Sequence, residues 1–442
     1  MTARIGYGGG QWAVLVTLLA GLLWPAPSRG GDDRGVRLSG HLKGYFFQQV
    51  PDPWLSDRVG VRLQLGVSGS SGNFSMYGAV NADVDSRLLA DEPERRSAGA
   101  EVYPVEAWVE YGGDSFDLRL GLQYVFWGRT DWINPTDLFT PWDYPDMAAE
   151  LEDYRLAQPA LRLKWYPLDE LVVDLVWQPL FRPHRLGSSS HQGELPVLEV
   201  QRLLPEHQPQ NGEFGLRLSH SISALALDWA VSFYQGFEKL PVMNARVVLD
   251  EQVQPPQPLG LVLEQYFGRL WMAGADLAKA WGPVVVKAEA ALKMTRDRAG
   301  DDPLVRNWRL EAVAGADCSL GDDWSLGMQT IATFWFSYDR TSERAAWQQD
   351  GGAAPPFLHG DDEISLSLKL RGQLSDHLGL QFIAIHSLSY HDFFLLGFLH
   401  WEPADAVRLV LGGVGFFGLE DNTPYASQEG NSRLFAEVKY SF

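Results

Sequence analysis

Apolar and polar residues trade places with period two along most of this chain, and the connections between those runs are alternately short and long. Successive side chains of an extended strand point to opposite faces. Val59, Val61, Leu63, Leu65 and Val67 therefore share one face, with Arg62 and Gln64 on the other. Leu118, Leu120, Leu122 and Tyr124 alternate with Arg119, Gly121 and Gln123, and Leu161, Leu163 and Trp165 alternate with Arg162, Lys164 and Tyr166. Leu225 to Phe233 and Ile364 to Arg371 repeat the pattern. Short turns are expected at 69–73, 112–115, 167–170, 221–224, 281–283, 321–323, 375–377 and 403–405. Longer polar segments separate them, at 50–57, 85–101, 128–154, 182–211, 236–261, 295–304, 339–360 and 418–431, with one tight connection near His391–Asp392 on the long side. A soluble sandwich has no reason to sort loop length by parity. A transmembrane barrel does, with short turns at one end and long loops at the other. The expected fold is thus all-β: a closed antiparallel transmembrane β-barrel of about 18 strands, or about 16 if a weak pair is not counted, with both termini periplasmic.

The segment from Ser432 to Phe442 supports closure. Leu434, Ala436, Val438, Tyr440 and Phe442 fall on one face, and an unpaired strand of this kind is an exposed, aggregation-prone edge. Pairing it with the first strand removes the edge, so Val438, Tyr440 and Phe442 are assigned to barrel closure. In lipid only a closed barrel satisfies every backbone group of a sheet.

Near the start, Trp12 to Trp24 is an apolar run preceded by Arg4 and followed by Pro25, Ala26, Pro27 and Ser28. Positive start, short apolar centre and small residues read as a cleaved secretory signal over residues 1–30, leaving the barrel in 31–442. The run is too short for a membrane-spanning helix. A net charge of −20 supplies no basic footprint, which argues against nucleic acid. Cys318 is the only cysteine, so no disulfide framework is available. The 17 Trp residues suit interfacial aromatic girdles. Together these place the chain in a Gram-negative outer membrane, with lipid, lipopolysaccharide and the barrel-assembly machinery as partners.

Function is expected on the inward face. The alternation turns Arg62, Arg119, Arg162, Lys164, Arg217 and Arg371 inward, together with Lys287, Arg309, Lys369, Arg408 and Lys439. Asp174, Asp228, Glu289, Glu311, Glu363 and Glu437 stand against them. A mildly cationic lumen would favour a small anionic solute or an anionic polymer. Cross-strand pairing of these charges, merely hydrating the wall, explains them equally well.

Residues 123–146 read QYVFWGRTDWINPTDLFTPWDYPD. Pro135, Pro141 and Pro145 forbid regular structure through this stretch. Trp127, Trp132, Phe139, Trp142 and Tyr144 are too many aromatics for a freely solvated loop. Segment 128–154 therefore folds into the lumen as a constriction or packs over the rim as a cap. Gln123, Trp127, Gly128, Asn134, Pro135 and Asp137 shape it. The spacing of Gly121, Gln123, Trp127 and Gly128, followed by Asn134, Pro135 and Asp137, resembles the DUF1302 group and, more distantly, alginate-export-type porins. The resemblance covers chiefly 117–183 and extends to Gln178–Pro183, which beyond ending a strand has no evident role. It implies an outer-membrane barrel and a conduit, and it carries no substrate.

Catalytic chemistry finds no foothold. There is no Gly-x-Ser-x-Gly elbow and no phosphate-cradling glycine loop. His386 and His391 are an odd number of residues apart, hence on opposite faces of a strand, which disfavours shared metal ligation. The acidic clusters at 301–302, 361–363 and 420–422 lack the spacing of a calcium loop. No cofactor and no metal are expected. A closed structural or assembly barrel and an outer-membrane hydrolase remain as alternatives to a channel.

Overall fold

The computed structural model describes residues 35–442 except 51–55, 90–98, 132, 145–147, 187–196, 251–256, 337–340, 342–361 and 420–422. The segment assigned to the signal, together with Trp132 and Pro145, lies outside the described residues. The strands before the first insertion are β1 (Arg37–Gln49), β2 (Ser56–Ser71), β3 (Phe74–Asp85), β4 (Ala100–Gly112), β5 (Phe116–Gln123), β6 (Gln158–Leu168) and β7 (Leu171–Gln178). There follow β8 (Val197–Leu203), β9 (Glu213–Ile222), β10 (Leu227–Phe237), β11 (Val242–Asp250) and β12 (Gln257–Tyr266). The remainder are β13 (Arg269–Trp281), β14 (Val284–Met294), β15 (Arg309–Leu320), β16 (Trp324–Trp335), β17 (Glu363–Ser375), β18 (Leu378–Ser387), β19 (Asp392–Ala404), β20 (Val407–Gly418) and β21 (Arg433–Ser441).

Eighteen of these strands form one closed antiparallel barrel, the number that loop parity implies. Neighbours in sequence pair, except that β7 skips to β9 and β10 skips to β13. The seam is β21 against β1, in register from His41 opposite Ser441 to Gln49 opposite Arg433. Two further bonds extend it: the Gly40 N–H donates to the Phe442 carbonyl at 3.0 Å, and the Phe442 N–H to the Gly40 carbonyl at 2.9 Å. Val438, Tyr440 and Phe442 are all exposed on the outside.

Each strand sorts its side chains by parity. Glu213, Gly215 and Arg217 of β9 are buried inside, whereas Phe214 and Leu216 are exposed outside. Val231, Leu277, Met328, Leu366, Leu399 and Leu411 continue this apolar exterior around the barrel. An apolar surface of this extent needs a non-aqueous cover. Trp165, Trp281 and Trp401 stand exposed near the short turns and Trp177 near the long loops, as interfacial aromatics do.

One expectation is corrected. Segments 182–211 and 236–261, read from sequence as long polar loops, carry strands. The β11–β12 hairpin is antiparallel, and β8 joins β12 in parallel, making a three-stranded sheet outside the barrel. Leu261, Val262 and Leu263 are buried in it. The apolar run 259–263 is short and follows Pro255, Pro256 and Pro258, so its alternation does not stand out.

Candidate functional site

The chain leaves β5 through two glycines whose backbone excludes other residues. Gly121 has φ +137° and Gly128 φ +94°. A Cβ on Gly121 would lie 2.1 Å from the Ala107 carbonyl oxygen, and one on Gly128 2.5 Å from Glu289 Oε2. Between them Gln123 is fully buried and donates to the Ala160 carbonyl at 2.9 Å. Thr140 closes the root of the loop by bonding both the N–H and the carbonyl of Val125.

Beyond that root the loop meets the inner wall on opposite sides of the barrel. Trp127 donates its indole N–H to Asp174 of β7 at 3.1 Å and packs edge-on against Phe139, which in turn packs on Tyr234 of β10. These rings share a buried cluster with Val125, Leu270, Met272 and Ala291. Glu289 of β14, 2% exposed, gathers the next turn. Its carboxylate accepts from the Arg129 N–H at 3.0 Å, the Thr130 hydroxyl at 3.2 Å, and both the N–H and hydroxyl of Thr136 at 2.8 Å. Asn134, Pro135 and Asp137 form that turn: the Asp137 N–H donates to the Asn134 carbonyl at 3.0 Å, and Asn134 Oδ1 accepts from Thr130 at 2.9 Å. Pro135 is buried, and its fixed φ suits the second position of such a turn. Asp137 itself pairs with Arg155, which bridges Trp142 where the loop returns toward β6. Burial pushes the Asp137 carboxyl up despite that guanidinium.

Asp131 reaches farther across. It accepts from Lys287 of β14 at 3.2 Å, Gln329 of β16 at 3.0 Å and Lys369 of β17 at 2.9 Å. Burial opposes its charge, but the Lys369 and Lys287 ammoniums hold the carboxyl below its ordinary value. On the opposite wall, Asp153 accepts from Lys43 at 2.8 Å and Arg62 at 2.7 Å, while Glu150 accepts from Lys439 at 2.7 Å. Burial would raise the Glu150 carboxyl, yet Lys43 and Lys439 outweigh it and bring it down to about 2. Between these anchors, Ala148, Trp142, Tyr144 and Tyr154 cover an apolar arc of the interior built from Phe47, Ile383, Phe394, Leu396, Phe416 and Phe435.

The lumen cations singled out from sequence mostly stand in ion pairs. Arg62 bonds Asp83 and Asp153 at 2.7 Å each. Arg119 bonds Glu110 at 2.6 Å and lies 4.0 Å over the Trp108 ring. Arg162 is paired with Asp174 at 2.6 Å and Arg217 with Asp276 at 2.6 Å. Asp276 also holds Arg129 of the loop at 2.9 Å. Lys164 stands cross-strand from Asp117 and Asp174, and Arg371 lies exposed near the short-turn end of β17. Sequence inspection passed over Lys43, Asp83, Asp131, Glu150, Asp153 and Asp276. The alternation in HLKGYFF could have flagged Lys43. His386 stacks on Phe393, 4.1 Å between ring centroids, whereas His391 sits in the following turn at φ +55°, so the two histidines do not converge. Phe181, in the stretch without an evident role, packs with Phe237 and Phe267.

A closed antiparallel barrel with an apolar exterior, alternating turns and loops, and a loop bonded to its inner wall is a barrel of the outer-membrane type. The chain belongs to the DUF1302 family, described as a protein family of unknown function, whose profile matches residues 67–442. Solved structures share the fold at low identity. OpdK of Pseudomonas aeruginosa, solved with vanillate, superposes with a TM-score of 0.54 at 10% identity, covering 92% of this chain and 98% of that one. OccAB4 of Acinetobacter baumannii gives 0.55 at 10% identity, with 92% and 98% covered. OccK8 (OprE) of Pseudomonas aeruginosa gives 0.54 at 9% identity over the same shares. Among the curated proteins none matches.

Proposed function

We propose that this protein is a porin-like channel of the Gram-negative outer membrane, passing a small anionic solute through a lumen narrowed by segment 128–154. It is exported by a cleaved signal, keeps both termini in the periplasm, and sits among lipid and lipopolysaccharide after insertion by the barrel-assembly machinery. The observation that carries this reading is the loop's anchorage: Asp131 bonds β14, β16 and β17 while Glu150 and Asp153 bond β1, β2 and β21. A segment tied to opposite walls narrows a lumen wherever it crosses, and charged side chains at a narrowing set selectivity. The aromatic carboxylate vanillate, bound in OpdK, is of the same solute class. Toward the short turns, Arg119, Lys164, Lys369, Arg371 and Arg408 stand as exposed or half-exposed cations for such an anion. The chemistry is passage, not catalysis.

Single-channel recording of the refolded protein in a planar bilayer, with and without residues 128–154, tests this. The expected result is a steady anion-selective current that rises when the loop is removed. Absence of current in both proteins overturns the channel and leaves a closed barrel that acts through its surface.

A further inference from the structure

The register of the seam gathers like charges. Arg408 of β20 stands directly opposite Lys439 of β21, Lys439 opposite Lys43 of β1, and Lys43 opposite Arg62 of β2. Four cations thus occupy adjacent positions on four consecutive strands, an arrangement that repels unless anions intervene. The row has a wetter half and a drier half: side-chain exposure is 34% at Arg408 and 22% at Lys439, against 3% at Lys43 and 10% at Arg62. The wall offers Asp83 to Arg62 at 2.7 Å, but only 3.7 Å contacts from Glu437 to Lys43 and from Glu402 to Arg408. The close partners of Lys43 and Lys439 are instead loop carboxylates, Asp153 at 2.8 Å and Glu150 at 2.7 Å. Those two carboxylates sit on separate, short contacts along a row whose more exposed end, Arg408, follows the short turn at 403–405.

Resting on the channel reading above, we infer that the cation row Arg408–Lys439–Lys43–Arg62 is a binding track for solutes with two or more anionic groups, held in the resting state by Glu150 and Asp153 as internal stand-ins. A di- or tri-anion entering at Arg408 and Lys439 competes for the same ammoniums and lifts the loop off the seam. The cations are then screened by the solute instead of the loop, so the row never stands bare. Monoanions supply one contact and do not displace two carboxylates.

The test uses the full-length refolded protein and its Glu150→Gln/Asp153→Asn variant, titrated with citrate, pyrophosphate and acetate. Current in a planar bilayer is one readout. Tryptophan fluorescence in detergent is the other, because Trp142 stacks on Tyr154 beside Asp153 and needs no open pore to report. Removing the internal competitors is expected to lower the half-saturating citrate or pyrophosphate concentration about tenfold, with acetate without effect. The Lys439→Gln variant, altered at the exposed end of the row, is expected to raise it about tenfold. Equal responses in wild type and variants, or no response to either oligo-anion, overturn the track. Loss of current with the fluorescence shifts retained overturns the channel reading and leaves the track standing.

Discussion

Lys439 and Lys43 stand directly opposite each other across the seam that closes the barrel, and one carboxylate, Glu150, lies 2.7 Å from the first and 3.5 Å from the second. The contact joins the last strand, the first strand and the loop between β5 and β6.

That contact predicts a pH dependence. With the Glu150 carboxyl lowered to about 2 in the fold against 4.5 ordinarily, its stabilisation is complete above pH 4.5 and is lost as pH falls toward 2. Lys43, Lys439, Arg408 and His41 are the basic groups that face this carboxyl. Hydrogen exchange in segment 128–154, taken relative to the intrinsic amide rate at each pH, is expected to be flat from pH 7 to 5 and to rise steeply below 4. An upturn already at pH 6 would assign the anchorage to another group.

Glu289 is expected to be the strongest single hold on the loop, because one buried carboxylate serves two backbone N–H groups and two hydroxyls. Glu289→Ala leaves all four donors without that acceptor, at a local cost of about 3 kcal/mol. Exchange protection of the Arg129 and Thr136 amides should fall about 100-fold while the strand amides keep theirs. Unchanged protection would mean that the aromatic cluster around Phe139 holds the turn without it.

The glycine pair gives an ordered prediction. Gly121→Ala puts its methyl 2.1 Å from backbone, which cannot yield, whereas Gly128→Ala puts it 2.5 Å from a side-chain oxygen. Both also carry positive φ. Gly128→Ala should cost about 1–3 kcal/mol, and Gly121→Ala more. Refolded yield in vesicles and the thermal midpoint report the order, and the reverse order would discount the contact with Ala107.

Selectivity should respond to Asp131. Asp131→Asn removes the carboxylate bonded to Lys369 and Lys287, and Lys287 retains Asp317. Freeing Lys369 is expected to raise the anion-to-cation permeability ratio about two- to threefold, read from reversal potentials in a salt gradient. No change would place the ion path away from β17.

The barrel was legible in sequence because its two strongest signals are local. Alternation within Val59–Val67 or Ile364–Arg371 needs only neighbouring residues, and the turn at 281–283 or 321–323 needs only a few. The site was legible in composition but not in partners. Prolines and aromatics mark 128–154 as unusual, yet Arg129 finds Glu289 across 160 positions and Asp131 finds Lys369 across 238. Glu289 therefore counted only as one anion of the wall, and Glu150 and Asp153 drew no notice. The β8–β11–β12 sheet escaped because a parallel pairing between distant loops leaves no periodic trace, and Pro255, Pro256 and Pro258 break the stretch that supplies it.

The row of cations at the seam bears on how the molecule can be made. Zipping β21 onto β1 brings Arg408, Lys439, Lys43 and Arg62 side by side, and the carboxylate that calms Lys439 lies 289 residues earlier in the chain. A cylinder sealed with that loop outside would leave the four cations, among the described residues, facing only Asp83, Glu437 and Glu402 of the wall. The docked loop and the closed seam therefore stabilise one another, each supplying charge that the other meets.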